Sequence, residues 1–295
     1  MRLLIEHETR LAFPVPVREH QCELRLAPRD DETQRRLSCR IVVEPHAELS
    51  SHRDCFGNEV HRFSLLAPHD RLVARVSSEV ETSLENPFAY TPLAPDAERA
   101  WLERRLRDEP RLLDFVLHRS DAVPELGAEL AGIAVPAYQS ELPLLDNVQA
   151  AMAWAAASFR WDPSTTTVHA ALAAFAEQRA GVCQDFAHLL VAWVRSAGFA
   201  ARYVMGYVEG NTVPEEAQSE AATHAWAEVL IPGAGWRGFD ATSGLVANDC
   251  YVPVAVGRDS RDAAPVRGTF KGDEGSASPQ VSVRVQRAEQ ECAAQ

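Results

Sequence analysis

The six cysteines, Cys22, Cys39, Cys55, Cys183, Cys250 and Cys292, include no Cys-x-x-Cys pair, which argues against both a zinc knuckle and a thioredoxin-type redox motif. No apolar run approaches the ~20 residues that a membrane-spanning helix needs. The opening Met1-Arg2-Leu3-Leu4-Ile5-Glu6-His7-Glu8 puts charge where an export signal carries an apolar stretch. Positive charge is scarce as well: 29 Lys and Arg stand against 42 Asp and Glu, a net charge of −13, which disfavours nucleic acid and anionic membranes as partners. These deficits lead us to expect a cytoplasmic protein with reduced thiols, no metal and no cofactor.

What is present is ordinary globular material. A hydrophobic fraction of 46% and a charged fraction of 24% exclude wholesale disorder and a disulfide-dense miniprotein. At 295 residues the chain exceeds the usual one-domain length of about 100–200 residues, which predicts two domains. Residues 1–95 read as a β domain, with strand-like runs at Leu3–Phe13, Gln21–Leu26, Leu37–Val43, Val60–Leu65 and Leu72–Val80. Turn residues at Pro14-x-Pro16, Pro28-Arg29-Asp30-Asp31 and Phe56-Gly57-Asn58 suggest an antiparallel sandwich.

Residues 96–143 read as a helical connector interrupted at Pro110. Residues 144–270 carry helical patterns at Leu145–Phe159, Thr167–Arg179 and Cys183–Ala197, the last with Gly198 as its stop. Three strand-like runs follow, Ala201–Val208, Thr223–Ile231 and Trp236–Thr242. Helices followed by an antiparallel sheet describe an α+β domain. Beyond Asp249 the pattern is loop-like, and residues 271–295 form a spacer with one alternating run, Val281–Val285, suited to a closing strand.

A lone cysteine is usually a small buried hydrophobe. Cys183 differs by its place at a predicted helix N-terminus, where unpaired N–H groups and the macrodipole favour negative charge. The same N–H groups suit the oxyanion formed when a thiolate adds to a carbonyl, and Gly181 would permit close substrate approach. A base and an orienting acid are then required, and His224 and Asp240 stand on a predicted hairpin. Strand alternation makes their meeting a question of register. If Leu230 pairs with Trp236, leaving Ile231–Gly235 as the loop, Trp226 faces Asp240 and His224 shares their face. Pairing Ile231 with Trp236 would place them on opposite faces unless a β-bulge restored the phase. A site therefore predicts the first register.

The residues Gly181-Val182-Cys183-Gln184-Asp185-Phe186-Ala187-His188, Ala201–Tyr207, His224-Ala225-Trp226-Ala227-Glu228-Val229 and Gly235–Thr242, in this order and spacing, resemble the bacterial transglutaminase-like proteins. The resemblance extends to Asp54–Phe63 and to Val256–Gly268, and so covers most of the chain. It implies a papain-like core with its nucleophile at Cys183, its base at His224 and its acid at Asp240. Met205 and Ala241 depart from the common pattern, which has a small residue and a proline there. Trp161 lies in a segment that precedes the nucleophile helix in similar proteins, and its indole N–H is a candidate oxyanion donor, as is the Gln178 amide. Core packing accounts for Trp161 and a solvent-facing helix end for Gln178. Trp226 is placed to shield the imidazole, and burial alone also accounts for it. Asp185 and His188 serve equally as capping, pairing or packing residues.

The resulting expectation is a cysteine enzyme that acts on amide or peptide bonds through a thioester, by transamidation or hydrolysis. Its partners would be a peptide or protein substrate and, for transamidation, a primary amine. An acyltransferase resembling the arylamine N-acetyltransferases fits the residues around Cys183 less well. The alternative from another class is a non-catalytic peptide- or protein-binding protein that keeps this fold.

Overall fold

The structure is a computed structural model that describes residues 1–165, 171–210, 223–272 and 278–288. The N-terminal part is a curled antiparallel sheet of β1 (Arg2–Leu24), β2 (Gln34–Glu44), β3 (Ser50–Arg53), β4 (Glu59–Leu65) and β5 (His69–Thr82). Helix α1 (Pro95–Asp108), a 3-10 turn at Pro110–Leu113 and α2 (Asp114–Leu117) lead to a small hairpin, β6 (Glu129–Leu130) and β7 (Ile133–Ala134). Then come α3 (Leu144–Ser158), β8 (Arg160–Trp161), α4 (Leu172–Gln178), β9 (Ala180–Gly181) and α5 (Cys183–Ser196). The chain ends with β10 (Ala201–Val208), β11 (His224–Ile231), β12 (Gly235–Asp240), β13 (Leu245–Val246), β14 (Tyr251–Gly257), β15 (Val266–Lys271) and β16 (Ser278–Arg287). No helix among the described residues is long and apolar enough to cross a membrane.

β1 is continuous where the sequence suggested two strands and a turn at Pro14-x-Pro16. Its pairing with β5 runs from Arg2 to Ala12 and resumes at Val17, so both prolines fall in the gap where the missing N–H groups are not needed by the ladder. The first half of β1 lies between β5 and β16, the second between β4 and β15. The sheet thereby curls around an apolar cluster that includes Phe13, Leu24, Phe63, Leu72 and Val76. The Val281–Val285 run lies within β16. β15, in the stretch read as core, also returns to the N-terminal sheet.

The second layer is a five-stranded antiparallel sheet in the order β13-β12-β11-β10-β14. The loop expected beyond Asp249 is instead the edge strand β14, a correction with a clear cause. Pro253 masked the alternation of Tyr251–Val256, but it sits at an edge, beside the register shift against Met205 and Gly206, where a proline is tolerated. The expected helix Thr167–Arg179 appears as α4 from Leu172, preceded by an extended Ala171, and residues 166–170 lie outside the described residues.

α5 is buried nearly all round, from Asp185 to Arg195. Phe186, Leu189, Leu190 and Trp193 share a core with α3, α4 and the strand residues Ala227, Val229 and Phe239. Even Arg195 is 1% exposed, its guanidinium donating to the carbonyls of Phe115, His118, Ala201 and Arg258. The two layers join through Leu3 and Ile5 of β1 against Tyr203, Met205, Tyr207 and Val254. Full burial of a Leu or Ile contributes ~1.5–3 kcal/mol each, so this seam fixes the N-terminal sheet against the strands that carry the site.

Candidate active site

Cys183 is the first residue of α5, after an extended Val182. The Val182 N–H donates to Asp185 Oδ2 at 2.8 Å, so the acid of the first helical turn fastens the chain just before the sulfur. This makes Asp185, 2% exposed, a capping residue. Gly181 has a different role from the one expected: a Cβ there would collide with Asp185 Oδ2 and the Phe175 ring. Its missing side chain therefore serves the packing of this turn, not the approach of a substrate. His188 is buried and its Nε2 accepts the Ser260 N–H at 3.0 Å, a structural bond that occupies the nitrogen a base would use.

The hairpin adopts the register that a site requires. Leu230 pairs with Trp236 and Ala227 with Phe239, and the ladder extends one pair further, to Ile231 and Gly235. His224 begins β11 and Asp240 ends β12, and His224 Nε2 lies 2.8 Å from Asp240 Oδ2. Cys183 and His224 line the same cavity, and the sulfur adds to the upward shift of the imidazole pKa. With Nε2 engaged by Asp240, Nδ1 is the ring nitrogen left to face the sulfur. His224 is thus bonded to Asp240, with Cys183 beside it in the same cavity.

Asp240 is fully buried and heavily bonded. Ser243 Oγ donates to its Oδ2 at 2.7 Å and Tyr251 Oη at 3.0 Å, while the Thr242 N–H donates to Oδ1 at 3.0 Å. Burial pushes this carboxyl up, but the His224 charge and the bonds from His224, Ser243 and Tyr251 outweigh it and hold the carboxyl below its ordinary range. The same balance governs the imidazole. Burial opposes its charge, yet the Asp240 carboxylate, with Cys183 contributing, raises the His224 pKa to about 10. An imidazolium held between carboxylate and sulfur is the partner a thiolate needs.

Trp226 is 1% exposed and stacks on His224, with ring centroids 6.2 Å apart and planes at 28°. Both neighbouring strands carry a glycine against the indole, since a Cβ at Gly206 or Gly238 would run into Trp226. The ring therefore covers one side of the imidazole. Trp161 pairs with Gly181 and packs against the core, and Gln178 is exposed at the end of α4. Neither lines the cavity at Cys183. The donor found there is one the sequence reading passed over: Gln184 lines the cavity and its Nε2 is buried without a hydrogen-bond partner. Its adjacency to Cys183 was the available signal. Ser243 could have been found by its position three residues after Asp240. Tyr251 had no local signal, because β14 had been read as loop.

The sulfur and the imidazole open on a cavity of about 590 Å³ between the two sheets. A second depression, of about 730 Å³, is lined by Cys22, Glu23 and Arg62, but burial pushes the Cys22 thiol up to about 12, and no base is bonded to it among the described residues. Five cysteines, Cys22, Cys39, Cys55, Cys183 and Cys250, are free, and the described residues hold no cluster of three metal-ligating side chains.

Residues 3–81 match the model of the bacterial transglutaminase-like N-terminal region, and residues 132–241 match the transglutaminase-like superfamily. The chain is 31% identical to protein ML0607 of Mycobacterium leprae, over 97% of this chain and 99% of that one. It is 30% identical to protein Rv2569c of Mycobacterium tuberculosis, over 96% of this chain and 92% of that one. A crystal structure of a "Putative Cysteine Protease" from Cytophaga hutchinsonii superposes with a TM-score of 0.68 at 21% identity, covering 99% of this chain and 92% of the other. Both family regions in their expected order, with similarity that runs along nearly the whole chain, identify it as a member of the bacterial transglutaminase-like family.

Proposed function

We propose that the protein is a cysteine acyltransferase or amidase that cleaves an amide or peptide bond through a thioester on Cys183. The observation that carries this reading is the Asp240 carboxylate bonded to the His224 imidazole in the cavity that also exposes a sulfur at the head of α5. The thiolate attacks the carbonyl carbon and forms the C–S bond. The oxyanion is received by the N–H groups of the first turn of α5 and by the Gln184 amide, which otherwise has no partner. Collapse breaks the C–N bond, and the departing amine takes its proton from His224. A primary amine or water, deprotonated by His224, then attacks the thioester and restores the thiol. Asp240 fixes the ring so that Nδ1 faces the sulfur throughout.

The substrate class consistent with this chemistry is a peptide or protein, with a primary amine as acceptor in the transfer branch. The test is a peptide library incubated with the protein and an added primary amine, with products read by mass. Exchange of ammonia for water, or cleavage with uptake of water, marks hydrolysis, and a mass gain equal to the amine less ammonia marks transfer. Cys183→Ala and His224→Ala should both abolish product while circular dichroism stays unchanged. Undiminished turnover in either variant overturns the proposal.

A further inference from the structure

We infer that the N-terminal sheet is the substrate-selecting wall of this site and takes an apolar, uncharged portion of the substrate; the inference rests on the thioester reading above. The cavity that begins at Cys183 and His224 is closed on its far side by β1, β15 and β16, through Leu11, Phe13, Val266, Phe270 and Val281. About 590 Å³ is room for one large side chain and its backbone or for a comparable acyl group. In a chain with 24% charged residues, none of the described lining residues is Asp, Glu, Lys or Arg.

The polar side chains on this wall are already paired. His7 Nε2 lies 2.7 Å from Thr9 Oγ1 and its Nδ1 3.3 Å from Tyr207 Oη. His20 lies edge to edge with His69, centroids 5.4 Å apart and planes at 2°, with the rings of Phe13 and Phe270 edge-on to it. The tautomers follow from the bonding. His69 Nδ1, 3.0 Å from the Ala67 carbonyl, must donate, so the neutral His69 ring accepts at Nε2 from His20 Nδ1–H, 3.2 Å away. Burial pushes the His7 pKa down to about 4, and burial with the neighbouring His69 lowers that of His20. The wall is therefore uncharged at neutral pH. A substrate carboxylate or ammonium seated there would lose its hydration and gain no counter-ion. An apolar group would gain contact with two phenylalanine rings and three aliphatic side chains.

The inference is tested by alkylating Cys183 with iodoacetamide, N-benzyl-iodoacetamide and N-carboxymethyl-iodoacetamide at neutral pH. The rate is read on the peptide that carries Cys183, which separates it from the exposed Cys55, and is divided by the rate of free glutathione with the same reagent. The benzyl reagent should be favoured over the carboxymethyl reagent by about tenfold or more. Leu11→Lys, at a half-buried position of β1, should narrow that ratio several-fold by speeding the carboxymethyl reagent, and Val281→Lys should do the same from β16. A wild-type ratio near one, or a ratio that neither variant changes, overturns the inference. Plain iodoacetamide is too small to need the wall. If it reacts no faster than with glutathione, the thioester reading fails on its own, while the benzyl-to-carboxymethyl ratio still judges the wall.

Discussion

Asp240→Asn isolates the electrostatic part of the site. The substitution keeps the shape of the side chain and its bond from the Thr242 N–H, but removes the charge that opposes the burial of His224. Without that charge only Cys183 opposes desolvation, and the His224 pKa should fall from about 10 toward the ordinary 6.5. A full return to 6.5 is a fall of about 3.5, which at 1.36 kcal/mol per pH unit corresponds to ~5 kcal/mol of preference for the charged ring. The sign for stability follows. A raised imidazole contributes stability that is fully present below 6.5 and is lost as pH rises through about 10. The wild type should therefore lose stability over that window, and the variant should not. The assay is NMR titration of the His224 ring protons, with urea midpoints across the same pH range. Turnover should fall by about 10²–10⁴-fold but not vanish, since nucleophile and base remain. A His224 midpoint that stays near 10 in the variant would refute the reasoning.

Gly181→Ala should lower stability by ~1–3 kcal/mol in urea denaturation, because the added methyl meets Asp185 Oδ2 and Phe175; an unchanged midpoint contradicts the packing role. Tyr251→Phe removes one donor to Asp240 and leaves Ser243 and His224. It should cost ~1 kcal/mol of stability and less than about tenfold in kcat, whereas complete loss of activity would mean that Tyr251 acts on the substrate. Gln184→Ala should reduce kcat by about 10²–10³-fold. Stability should not fall, because the buried Nε2 has no partner to lose. Alkylation of Cys183 by iodoacetamide should proceed at the wild-type rate, and a parallel loss there would assign Gln184 to the nucleophile instead of the oxyanion.

The core was legible because its signals are local. The stop expected for α5 is Gly198, whose φ of +83° is what a helix stop needs. The hairpin register could be worked out from His224, Trp226 and Asp240 alone, and it is the one the strands adopt. What escaped was held by distant contacts or disguised by proline. Pro14 and Pro16 suggested a turn, yet lie in a gap of the β5 ladder; Pro253 hid an edge strand, and with it Tyr251. Gly181 was read for the substrate because nothing nearby in sequence tells that Phe175 and Asp185 fill the space of its side chain. The far wall of the cavity could not be read at all, since β1 and β16 stand at opposite ends of the chain and meet only through sheet pairing.

The most direct measurement is the mass of the intact protein after rapid quenching with a peptide amide it turns over. The account predicts an added acyl group that maps to Cys183, disappears on treatment with hydroxylamine, and is absent from Cys183→Ala. Product formation with no such adduct on Cys183 under single-turnover conditions, or an adduct that persists in Cys183→Ala, would contradict it.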